Sequence, residues 1–104
     1  MDIKTRLEDC NKILKEHYGS DFRGLFLYGS MARGKAEKSS DIDILVLLSK
    51  PFSYFDELRK IIELLYPIQL KSEHLISAKP VAEDEFASGT IHFYRTAKLE
   101  GMAV

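Results

Sequence analysis

Tryptophan is absent from this chain, cysteine occurs once, and no apolar run is longer than Ile44 to Leu48. A lone thiol, Cys10, cannot close an internal disulfide. The opening stretch MDIKTRLEDC has neither the basic segment nor the apolar core of an export signal, so the expected compartment is the cytoplasm. A membrane helix needs roughly 20 apolar residues, so ILVLL reads as a strand and no membrane partner is expected. An excess of either charge is lacking too: 15 basic and 16 acidic residues leave a net charge of −1. That removes any global attraction to nucleic acid, and direct nucleic-acid binding is not expected. Repeats, linkers and low-complexity segments are also missing. What is present is 104 residues, 45% of them hydrophobic, enough for a single domain over 1–104 with one core.

Ile3, Leu7, Cys10, Leu14 and Tyr18 recur at helical spacing up to a glycine stop, which predicts a first helix with Cys10 in the core. FRGLFLYG, from Phe22 to Gly29, and DIDILVLL, from Asp41 to Leu48, read as neighbouring buried strands joined by a small, polar loop. Ser53 and Asp56 resemble a capping box. They open a second helix whose stripe of Phe55, Leu58, Ile61, Ile62 and Leu65 stops before Pro67. Ile68 to Ser77 alternates, with Gln69, Lys71 and Glu73 on one face and Ile68, Leu70 and Ile76 on the other, which predicts a third strand. Two short helices follow, around Glu83 to Ala87 and from Ile91 to Leu99. The order predicts an α/β (α+β) fold: a small mixed sheet with helices on one face and the other face left for chemistry.

The stretch GSMARGKAEKSSDIDILVLL carries that chemistry. In a strand Asp41 and Asp43 project to one side while Ile42 and Ile44 turn to the other. Two carboxylates so close are unfavourable unless a cation sits between them, and hard oxygen ligands suit Mg²⁺. Gly29 lets a ligand approach the backbone. Ser30 opens a turn whose N–H groups can cradle phosphate, and Arg33 follows one turn on with a forked donor. Together they predict a triphosphate–Mg²⁺ site for phosphoryl or nucleotidyl transfer. A two-metal version needs a third carboxylate. Glu73 is the candidate on the polar face of the third strand, with Gln69 or Glu63 as alternatives.

Residues Gly29 to Val46 resemble the signature of the polymerase-beta-like nucleotidyltransferase superfamily, in which Gly-Ser is followed one loop later by Asp-x-Asp. The central arginine-glycine and Ser40 before the first aspartate resemble the minimal nucleotidyltransferases (MNT, MntA-like), with good coverage from about Phe22 to Ser77. The resemblance implies a nucleotidyltransferase fold, two Mg²⁺ ions, ATP as substrate and transfer of AMP to an acceptor. Carried over by position, Gly29, Ser30, Arg33 and Ser40 would bind the nucleotide, and Asp41, Asp43 and Glu73 would be catalytic and hold metal. Met31 stands where many relatives carry a basic residue, and Glu73 where aspartate is commoner. Minimal members are commonly paired with a HEPN-domain protein as toxin–antitoxin systems. The implied role is therefore an antitoxin that adenylylates a tyrosine of its partner, in a homo- or hetero-oligomer. The competing readings are a degenerate binding module that occludes its partner, and a small-molecule transferase of the aminoglycoside-modifying kind.

Other residues have plainer readings. His17, His74 and His92 lack metal-ligand spacing, which favours surface or packing roles. Phe22, Phe26, Tyr28 and Phe55 read as core. Phe93 and Tyr94 either dock the last helix on its own domain or form a partner surface.

Overall fold

The stripe of Leu7, Cys10 and Leu14 folds as α1 (Asp2–Tyr18), which a single 3-10 turn (Gly19–Asp21) ends. The computed structural model describes residues 2–29, 32, 34, 40–89 and 92–104. After α1 the chain runs through β1 (Phe22–Tyr28), β2 (Ile42–Leu48), α2 (Tyr54–Lys71), β3 (Ile76–Ala82), α3 (Glu83–Ser88), α4 (His92–Glu100) and β4 (Met102–Ala103). The sheet order is β3-β2-β1-β4. β1 pairs antiparallel with β2 and β4, while β2 and β3 run parallel, so the sheet is mixed as expected.

Alternation along the strands sorts the interior into two clusters. Leu25, Leu27, Ile42, Ile44, Val46 and Leu48 meet Cys10 and Leu14 of α1 and Ile61, Leu65 and Ile68 of α2. Each of the leucine, isoleucine and valine side chains stabilises the fold by about 1.5–3 kcal/mol where fully buried. Tyr18 adds a polar tie, its hydroxyl donating to Glu57 Oε1 at 2.8 Å. The two long helices therefore lie on one face. On the other face, Leu45 and Val81 pack against Phe86 of α3 and Ala97 of α4, with Phe26, Tyr28, Leu47 and Tyr94 around them. That face is not left wholly free, because the short helices cover part of it. Tyr94 docks on its own domain, its ring 6.1 Å from that of Phe86. The Phe93 side chain and residues 90–91 lie outside the described residues.

Three expectations are corrected. The third strand does not start at Ile68, because α2 continues through Pro67 to Lys71 and β3 begins at Ile76. Pro67 lacks the N–H that would bond the Glu63 carbonyl, a loss of about 3 kcal/mol in a helix interior. Continuing the helix places Ile68 on the buried stripe of Ile61 and Leu65, and that burial offsets much of the loss. Second, Phe55 is not core but 73% exposed, because the buried stripe passes through Ile61, Leu65 and Ile68. Third, Ser53 is the N-cap of α2 but makes no side-chain capping bond, so the capping box is not formed.

The β3 edge is shaped by two residues. Ile42 N–H donates to the Leu75 carbonyl and Ile42 is in register with Ile76, so residues 76, 78, 80 and 82 turn their backbone groups outward. The outward Ile76 N–H donates to Gln69 Oε1 at 2.7 Å, and position 80 is proline, with no N–H to offer. At the opposite side of the sheet, β4 is held by Gly101. A side chain there would run into the Leu27 carbonyl, the Phe26 ring and the Ala97 carbonyl.

Candidate active site

Ile42 and Ile44 are both fully buried against α1 and α2, which fixes the alternate residue, Asp43, on the opposite face. Asp43 is half-buried, and Asp41, exposed, stands just before the strand. Asp41 thus lies outside the strand's own alternation. Burial and the neighbouring Asp41 charge push the Asp43 carboxyl above its ordinary value, while Lys79 pulls the other way.

Gly29 closes the site from the β1 side. Its φ of +79° lies in the left-handed region, and a Cβ built on it would meet Asp43 Oδ2 at 2.5 Å. Only a hydrogen fits there, so the backbone leading into the Gly-Ser loop rests directly against the carboxylate. Tyr28, the register partner of Asp43 on β1, presents its ring on the same face. Burial and the Asp43 charge raise the pKa of its phenol, which stays protonated at neutral pH. Ser30 and Arg33, together with Met31 and the lysines of that loop, lie outside the described residues.

Beyond the strand start, the α2–β3 turn is laced to the loop before β2. His74 Nδ1 lies 2.8 Å from the Ser40 carbonyl, and since a carbonyl only accepts, Nδ1 carries the proton. His74 is in turn fixed through Ser72, whose hydroxyl donates to the His74 carbonyl at 2.7 Å. His74 thus positions the backbone of Ser40, next to Asp41. Sequence reading missed this because Ser40 and His74 are far apart in the chain.

Glu73 is exposed in this turn and not on a strand face. No group of three His, Cys, Asp or Glu side chains is placed to hold a metal among the described residues, so Glu73 is not gathered with Asp41 and Asp43. Gln69 is committed to the β3 edge, with Nε2 donating to the His74 carbonyl at 3.1 Å. Glu63 is exposed on α2, which packs on the other face of the sheet. Of the β3 residues that share the Asp43 face, the two nearest it are Ser77, in register with Asp43, and Lys79, in register with Leu45. Both line a cleft of ≈ 260 Å³ with Tyr54, Leu58 and Ile62. A second cleft, ≈ 270 Å³, lies by the far end of β2 between His17, Leu48 and Lys60, away from the carboxylates.

Two carboxylates at one strand start, near enough for the Asp41 charge to act on Asp43, with Gly29 beside them, offer the hard oxygen donors that a divalent cation such as Mg²⁺ takes. These donors stand on a mixed sheet backed by two long helices. The chain belongs to the nucleotidyltransferase domain family, whose model matches residues 7–97. It is similar to three Methanocaldococcus jannaschii proteins, each bearing the name "Putative protein adenylyltransferase". One is 36% identical over 81 residues, covering 77% of this chain and 79% of the relative. A second is 36% identical over 75 residues, covering 72% and 71%. A third is 41% identical over 63 residues, covering 61% and 58%. No helix of the described residues is long and apolar enough to cross a membrane.

Proposed function

We propose that this chain transfers AMP from ATP to a tyrosine hydroxyl of a partner protein, with Asp41 and Asp43 holding Mg²⁺ and the Gly29–Ser30 turn receiving the triphosphate. The observation that carries the reading is the close approach of Gly29, the first residue of the Gly-Ser motif, to the Asp43 carboxylate. The names of the relatives support protein as the acceptor class. The HEPN-domain partner implied by the signature supplies the acceptor, and its modification silences it.

In the reaction a bond forms between the acceptor oxygen and the α-phosphorus. The bond from that phosphorus to the bridging oxygen breaks, pyrophosphate leaves with the electron pair, and the acceptor proton passes to water. Mg²⁺, when bound, neutralises charge on the phosphate oxygens. Asp41 and Asp43 would hold that ion, and the Gly29 backbone leaves room for a ligand close to the pair. Arg33 steadies the phosphates with its fork, and His74 keeps the Ser40–Asp41 backbone in place.

The test is incubation of the chain and its co-purified partner with α-labelled ATP and Mg²⁺, alongside Asp43→Asn. Label on a partner tyrosine that disappears in the variant supports the reading. A partner still bound and inhibited with no label overturns it in favour of occlusion.

A further inference from the structure

A nucleotidyl-transfer centre gathers positive charge on both the attacking and the leaving side of the α-phosphate, and in two-metal sites a third carboxylate helps hold the second cation. In this sheet, a third carboxylate on β3 facing Asp43 would have to stand at 77 or 79. Those are the β3 positions in register with Asp43 and with the next residue on its face. They are a serine and a lysine. Strands lie roughly 4.8 Å apart, so a side chain at either position reaches the space above Asp43. The Lys79 charge is felt at Asp43, where it opposes the effects of burial and of Asp41.

We infer that Lys79 supplies, as a fixed ammonium, the positive charge that a second metal ion would bring, so that this site takes one divalent cation per bound nucleotide. The inference rests on the nucleotidyl-transfer reading and replaces the two-cation expectation. Lysine suits the part because its ammonium is a compact charge on a flexible stem that can follow a phosphate oxygen. Ser77 leaves the space between it and Asp43 uncharged. A carboxylate at 77 would hold Lys79 in an ion pair and draw a second cation.

The experiment counts Mn²⁺ by electron paramagnetic resonance in the intact chain with α,β-methylene ATP, an analogue that cannot transfer AMP. One Mn²⁺ per chain is expected for the native protein. The Ser77→Asp/Lys79→Ala variant is expected to bind two, close enough for their spins to couple. Lys79→Ala alone should weaken metal-free binding of the analogue by about tenfold, the usual loss for one charge-assisted contact, and Lys79→Arg should restore it. Two coupled Mn²⁺ in the native chain, or unchanged analogue binding in Lys79→Ala, would overturn the inference while leaving nucleotidyl transfer standing. Absence of any analogue binding to the native chain overturns both. Circular dichroism of each variant checks folding, position 79 being exposed and position 77 half-buried.

Discussion

Gly29, the residue after β1, and Asp43 on β2 approach so closely that a Cβ on the glycine would collide with the carboxylate. Gly29→Ala therefore acts in two ways. It strains a left-handed backbone, at about 1–2 kcal/mol, and it pushes Asp43 off its position. The expected outcome is a melting temperature lowered by several degrees, with label transfer from ATP reduced out of proportion to the folded fraction.

Asp43→Asn removes one of two repelling charges without changing shape. Stability should hold or rise slightly in thermal melts. Mn²⁺ affinity and AMP transfer should fall by about a hundredfold or more, as expected when a group placed for charge at the reacting phosphate is lost.

The same carboxyl sets a pH dependence. Its folded-state pKa lies above the ordinary 3.8, so between the two values the folded chain holds more protons than the unfolded one. Stability contributed by this group therefore falls as pH rises from 3.8 through the folded value, and is flat above it. Metal affinity moves the other way and grows over that window. Denaturant melts of the native chain and Asp43→Asn should converge as pH falls toward 3.8, a result that equal slopes at every pH would contradict.

Cys10 is sealed between α1 and the sheet, and burial pushes its thiol up to about 12. A disulfide reagent at pH 8 should label it no faster than the chain unfolds, so the rate should follow denaturant concentration.

At Gly101, any side chain meets the Leu27 and Ala97 carbonyls and the Phe26 ring. Gly101→Ala should release β4 and destabilise the chain by about 1–3 kcal/mol, the usual penalty for overpacking. By contrast Phe55→Ser, at an exposed position, should stay within about 0.5 kcal/mol. Urea denaturation of both variants measures the difference.

Local patterns carried most of these elements into view. Helical spacing marked α1, alternation marked Asp41 and Asp43, and aromatic and β-branched runs marked β1 and β2. What stayed hidden was decided by tertiary contact. Pro67 reads as a stop in any local rule, yet the core on which Ile68 lands keeps the helix intact, and this moved Glu73 from a strand to a turn. The same shift hid Ser77 and Lys79, whose relation to Asp43 exists only through the β2–β3 register. β4 is a two-residue strand, shorter than any periodic signal, and it depends on β1 to form.

The proline and the glutamine along β3 also govern assembly. With one donor absent at Pro80 and another taken by Gln69, this rim makes a poor template for strand addition, so raising the concentration should not grow the sheet into ribbons. Of the outward-facing positions 76, 78, 80 and 82, two have no N–H to offer an incoming strand, so a ladder built on this rim would miss every second rung.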